Sequence, residues 1–181
     1  HVGKLGKVPC ANCGKEVNLL KRVQLMDYSE LCKDCLKKTA PVFAENRSTI
    51  EDYKASFKQL EDGKKLFDAY FANDKSAKVI YKANFYSKTL WLNEAAGLMA
   101  VVSKRGGFMM FGGTQYYLVY RIADIESLVD EKVVKKNSNG APATFHYASF
   151  GMHNVAGIGN FRIYSKGKFN KIKNRFIDFN L

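Results

Sequence analysis

The sequence predicts an α+β chain in three parts: a small four-cysteine module, a helical connector, and a β barrel or sandwich with a C-terminal helix. Three observations carry that prediction. All four cysteines fall within the first 35 residues, as two Cys-x-x-Cys pairs. Apolar residues then recur three and four apart from Ile50 to Phe71, the period of a helix with one buried face. From residue 77 onward the texture changes to short aromatic and β-branched runs broken by Gly, Asn and Ser, the pattern of strands and their turns.

The first pair, Cys10 and Cys13, and the second, Cys32 and Cys35, are separated by 18 residues, a spacing of zinc sites. Two intervening residues let both thiolates of a pair reach one tetrahedral ion, whereas a disulfide inside such a pair would constrain almost no chain. The expectation is one structural Zn2+ held by Cys10, Cys13, Cys32 and Cys35. Gly14 permits a tight turn after the first pair, which makes a knuckle. The apolar runs 17–20 and 23–26, divided by Lys21-Arg22, predict a hairpin, and 27–30 is a polar break. The second pair runs into a helical pattern that ends at Pro41, so Cys32 and Cys35 are placed at a helix start, where the thiolate form is favoured. Knuckle, hairpin and helix in that order describe a treble clef over residues 1–45. A redox role for either pair would need a βαβ context, which the pattern lacks.

The connector, 46–75, opens on Asn46-Arg47-Ser48-Thr49-Ile50-Glu51, in which Ser48 and Glu51 have the spacing of a capping box. Its apolar stripe is Ile50, Tyr53, Phe57, Leu60, Phe67 and Phe71. Gly63 costs about 1 kcal/mol relative to Ala in a helix interior and predicts a bend or break there. The β part, 76–181, is expected to hold strands over 79–82, 88–93, 98–103, 116–122, 127–135, 144–150 and 161–164. Turns are placed at 93–97, 105–113 and 137–140. A closing helix over 170–179 carries Ile172, Phe176 and Phe179 on one face and is expected to plug the barrel.

Composition bounds the function. Of 181 residues, 46% are hydrophobic and 25% charged, the balance of a folded chain. No run approaches the roughly 20 apolar residues of a membrane helix, and no secretory leader pattern is present, so a cytoplasmic location is expected. His1 in place of Met reads as a trimmed or partial chain. The net charge is +12, and residues 76–181 hold 15 of the 29 basic but 6 of the 17 acidic side chains. Such a field draws anionic partners.

Two segments stand out as candidate contacts. Lys104-Arg105-Gly106-Gly107-Phe108-Met109-Met110-Phe111-Gly112-Gly113 places four large apolar residues between glycine pairs and beside two cations. It reads either as a strand edged by glycines or as an exposed loop inserting Phe108, Met109, Met110 and Phe111 while Lys104 and Arg105 meet phosphates. The C-terminal Arg162, Lys166, Lys168, Lys171, Lys173 and Arg175, interleaved with Phe161, Tyr164 and Phe169, read either as a solvated face or as a nucleic-acid track. His146 and His153 stand in no nucleophile or metal pattern, and no paired carboxylates accompany them. No enzyme activity and no small-molecule substrate is therefore expected.

The opening Cys10-Ala11-Asn12-Cys13-Gly14-Lys15-Glu16, the Leu31-Cys32-Lys33-Asp34-Cys35-Leu36 pair and the Ser48-Thr49-Ile50-Glu51 helix start resemble an uncharacterised bacterial family with an N-terminal treble-clef zinc finger. In that family the finger and a helical connector commonly precede a β domain similar to pleckstrin-homology-like domains. Tyr120-Arg121-Ile122-Ala123-Asp124-Ile125-Glu126-Ser127-Leu128 resembles the middle of such a domain. The apolar glycine-bounded loop flanked by cations, together with the absence of a catalytic pattern, leads to the expectation of a cytosolic adaptor whose β domain binds a protein or an anionic membrane surface, with nucleic-acid binding by the finger and the basic C-terminal half as the alternative.

Overall fold

In the computed structural model, residues 6–83, 88–106 and 113–179 are described. The chain opens with β1 (Val8–Pro9) paired antiparallel to β2 (Glu16–Val17) around a turn in which Gly14 takes φ 72°. A 3-10 turn at Leu19–Lys21 follows, with the Asn18 side chain accepting from the Lys21 N–H. β3 (Arg22–Gln24) then pairs with β4 (Glu30–Cys32), and α1 (Lys33–Leu36) follows at once. The expected hairpin of 17–20 with 23–26 is therefore corrected. Its true partners are β3 and β4, and the polar break at 27–30 is their turn, leaving Leu19 and Leu20 exposed.

α2 (Ile50–Tyr70) runs unbroken through Gly63. The capping box is real but one residue later than expected. Thr49 accepts from the Asp52 N–H at 3.2 Å while Asp52 accepts from the Thr49 N–H at 2.8 Å. Ser48 is buried in extended backbone, its carbonyl accepting from Met26 N–H, so it cannot take the cap. Gly63 does not bend the helix because its missing side chain is what lets α2 lie on the sheet: a Cβ there would collide with the Tyr117 carbonyl. The buried face is Tyr53, Ser56, Gly63 and Phe67, two small residues between two rings.

The seven expected strands all form. β5 (Ala77–Ala83), β6 (Lys88–Asn93), β7 (Leu98–Arg105) and β8 (Thr114–Arg121) make one antiparallel sheet in that order. β9 (Ile125–Lys136), β10 (Pro142–Met152) and β11 (Asn160–Tyr164) make a second, ordered β11-β10-β9. Both sheets are open, with no ladder joining them among the described residues, so the barrel expectation gives way to two sheets. Period-two alternation sorts the first sheet. Leu90, Leu92, Met99, Val101, Leu118 and Tyr120 enter the main core, whereas Trp91, Ala100, Val102 and Tyr117 meet Phe67 and Phe71 of α2. Both faces being covered explains why β7 is buried from Met99 to Ser103 without interruption.

The two sheets meet through rings. Tyr120 stacks on Phe161 at 5.4 Å, and Phe161 on Phe150 at 5.0 Å. The expected long final helix is α3 (Phe169–Lys173) plus a 3-10 turn at Ile177–Phe179. Ile172 and Phe176 are fully buried, and Phe176 sets its ring edge on Phe150 at 5.9 Å. They cover one side of the core rather than plug a barrel. No helix among the described residues is long and apolar enough to cross a membrane.

Candidate metal centre

β1 and β2 deliver Cys10 and Cys13 on one side of a turn, and the junction of β4 with α1 delivers Cys32 and Cys35 on the other. The knuckle is held to the second pair by backbone, with Ala11 N–H donating to the Glu30 carbonyl at 2.8 Å. All four thiols are free, and their sulfurs lie within 4.8 Å of one another. A tetrahedral ion with metal–sulfur bonds of about 2.3 Å requires sulfur–sulfur edges of about 3.8 Å. Cys13 and Cys32 stand 3.8 Å apart. The cluster thus has the size and donor set for one metal ion and fits a zinc finger.

Its surroundings pull Cys10 and Cys35 in opposite directions. Cys32 N–H donates to Cys10 Sγ at 3.3 Å, Cys35 N–H to Cys32 Sγ at 3.3 Å, and the Asn12 amide to Cys35 Sγ at 3.4 Å. Burial alone pushes the Cys10 thiol up, but the backbone N–H groups of Cys32, Cys13 and Asn12 outweigh it and bring Cys10 down to about 6. Burial, with three other thiols close by, pushes Cys35 up to about 12 despite the Asn12 amide. A cation among the four sulfurs removes that conflict. Cys10, Cys32 and Cys35 are buried and Cys13 is exposed at the rim. Four sulfur ligands would close the coordination of a tetrahedral ion held here and leave it no position for an activated water.

The centre is keyed to the rest of the chain by contacts no spacing announces. Tyr53 of α2, itself buried, donates its hydroxyl to the Cys35 carbonyl at 3.0 Å, and Thr39 meets Ser56 at 3.5 Å. Arg105, at the end of β7, donates to the carbonyls of Leu36 at 3.4 Å and Lys37 at 2.5 Å. These bonds add a long-range donor at the C-terminal end of α1, where the Leu36 carbonyl also accepts from the Thr39 N–H at 3.3 Å. One continuous core runs from Cys10, Leu31 and Cys35 through Tyr53 to Leu118, Phe150 and Phe176.

The remaining candidate residues are dispersed. Arg105 serves the α1 carbonyls and Lys104 is half-buried, while Phe108, Met109, Met110 and Phe111 lie outside the described residues. Lys171, Lys173 and Arg175 are exposed on and after α3, and Lys171 and Arg175 line a shallow cleft of about 200 Å³ with Lys78 and Glu94. His146 Nδ1 stands 3.7 Å from Asp130, and His153 is exposed, its N–H on the Asp124 carbonyl. Sequence reasoning missed a cationic face on the metal-bearing module itself. A cleft of about 460 Å³ beside Cys32 is lined by Lys7, Lys15, Lys21, Lys33 and Lys37 against Glu16 and Asp34. At its edge the 3-10 turn presents Leu19 and Leu20, 52% and 79% exposed. The signal is the two leucines directly before Lys21-Arg22, which the apolar run 17–20 makes look like part of a strand.

Residues 9–56 match the model of a domain of unknown function, DUF4428. The matched segment holds all four cysteines and ends on Ser56, so it takes in the α2 residues, Tyr53 and Ser56, that touch the cysteine module. No curated protein and no solved structure matches the chain.

Proposed function

We propose that this chain is a non-enzymatic binding protein in which a zinc-held treble clef, a helical connector and a pleckstrin-homology-like β unit act as one rigid body that docks on an anionic membrane surface. The observation that carries this reading is the pairing of Leu19 and Leu20 with the five lysines of the adjacent cleft. Exposed leucines in a turn fixed by Asn18 suit the acyl boundary, and lysines around them suit phosphate headgroups. A nucleic-acid face would be served better by arginines and flat rings than by aliphatic side chains. Lys171, Lys173 and Arg175 extend the basic field on the β unit. Zinc is the ion expected at four thiolates, and four free thiols suit a reducing, cytoplasmic setting.

Flotation with phosphatidylserine-containing vesicles and with neutral phosphatidylcholine vesicles, over a salt series, tests this. The protein is expected to float with the anionic vesicles, to release as salt rises, and to lose about tenfold or more of its partitioning in the double substitution Leu19→Ser, Leu20→Ser. Equal binding to both vesicles, or binding of a fluorescent oligonucleotide that the leucine substitutions leave unchanged in place of vesicle binding, contradicts it.

A further inference from the structure

Strand register places an unusual set of side chains on the outer face of the second sheet. Tyr147 sits opposite both Glu131 and Tyr164, and Ser149 opposite Arg162, so these residues share one face, with Lys135 on the same face of β9 four residues beyond Glu131. The opposite face carries Ala148, Phe150, Phe161 and Ile163 into the core. An outer sheet face is ordinarily solvated and polar, yet this one holds rings and cations under a strap of chain, residues 41–47. Arg47 pins the strap, its guanidinium donating to Ser149 Oγ at 3.1 Å and to Glu131 Oε1 at 2.5 Å. Between strap and sheet lies a cleft of about 550 Å³, within the size range of small-molecule sites.

Its chemistry is one-sided. Lys88, Lys135 and Arg162 line it with one carboxylate, Glu45, a second, Glu131, pairs with Arg162 and Arg47 beside it, and Phe43, Tyr147 and Tyr164 supply the ring surface. Arg162 is preorganised: it donates to Glu131 Oε1 at 3.2 Å and its guanidinium lies 4.7 Å from the centre of the Tyr147 ring. Burial, and then the charge of Arg162, hold the Lys88 ammonium below the ordinary lysine range. Arg162 already has Glu131 beside it, yet with Lys88, Lys135 and Arg47 the cations around the cleft outnumber Glu45 and Glu131, an excess that suits an anionic ligand. A carboxylate brings one negative charge, whereas a phosphate monoester brings about −1.5 to −2 near neutral pH and matches a guanidinium fork beside ammonium groups.

We propose that the cleft between residues 41–46 and the outer face of β9, β10 and β11 binds a soluble phosphate monoester with an aromatic or apolar body, Arg162, Lys88 and Lys135 taking the phosphate and the tyrosines the body. The site is separate from the finger lysines and stands or falls independently of membrane docking. Binding here would brace the strap that joins the cysteine module to the sheet, so occupancy is expected to raise the melting temperature as well as to release heat.

Isothermal titration of the zinc-loaded full chain with phenyl phosphate, inorganic phosphate and benzyl alcohol, beside flotation with phosphatidic acid vesicles, tests the assignment. Phenyl phosphate is expected to bind, inorganic phosphate about tenfold or more weaker, and benzyl alcohol not measurably. Arg162→Gln is expected to weaken phenyl phosphate by about tenfold or more. Because that change also removes an ion pair with Glu131, the exposed Lys135→Gln serves as a second variant that leaves folding intact, with an expected loss of about threefold to tenfold. Lys75→Gln, at an exposed residue that is not among those lining the cleft, is expected to leave binding unchanged. No heat and no melting shift with millimolar phenyl phosphate overturns the proposal, as does equal binding by wild type and Lys135→Gln. Capture by phosphatidic acid vesicles without binding of phenyl phosphate overturns it in favour of a lipid headgroup.

Discussion

Asp27 shows how single side chains tie this chain together. Its carboxylate accepts from the Ser29 N–H within its own turn and, at 3.0 Å, from the Ile50 N–H at the first turn of α2. Slight burial raises its pKa, but those backbone donors outweigh it and hold the carboxyl below the ordinary range. A depressed folded value means the contact stabilises the protein above the usual carboxylate range and is lost as pH falls through the folded value. Asp27→Ala is expected to cost about 1 kcal/mol near neutral pH, with the difference from wild type shrinking in acid. Chemical denaturation at two pH values checks both the size and the sign. At the centre, Cys32→Ser removes a ligand that also caps α1 and accepts from Cys35 N–H. The variant is expected to lose the metal and, because one core runs from Cys10 to Phe176, to lose native circular dichroism and dispersed amide signals across the chain.

At the scale of elements, what was legible followed from regular spacing, and what was not followed from close approach. The four ligands could be read because two-residue gaps and their separation are a local code. The strands could be read because aromatic and β-branched runs alternate between turns. The capping box slipped by one because Ser48 with Glu51 and Thr49 with Asp52 satisfy the same rule, and only the burial of Ser48 under the Met26 N–H separates them. Ser56 and Gly63 were invisible as contact residues, since a stripe drawn by hydrophobicity passes over small side chains that admit a neighbouring backbone. Gly63→Ala therefore makes a decisive test. Helix propensity alone predicts a gain of about 1 kcal/mol, whereas overlap with the Tyr117 carbonyl predicts a loss of about 1 to 3 kcal/mol. The melting temperature is expected to fall. The sequence left Arg105 open to a phosphate contact in one of the two readings of its segment, because its partners, the carbonyls of Leu36 and Lys37, lie almost 70 residues earlier in the chain.

For the whole molecule, the continuity of the core from Cys10 to Phe176 makes the cysteine module structural for more than itself. Tyr53 and Arg105 carry its state into α2 and β7. Chelation is therefore expected to lower the melting temperature of the entire chain within one cooperative transition, and differential scanning calorimetry with and without a zinc chelator reads this directly. A separate early transition, with the β unit melting at an unchanged temperature, would mean the module is independent. The openness of the two sheets belongs to this scale too, because which strands end a ladder depends on packing that no run of side chains records. The central claim is that one closed four-thiolate zinc site organises this fold. Native mass spectrometry of protein purified without chelator tests it most directly: the account predicts one zinc ion per chain, lost together with the folded charge-state distribution when Cys32 is replaced by Ser. A metal-free folded chain, or one carrying two disulfides in place of the ion, would contradict it.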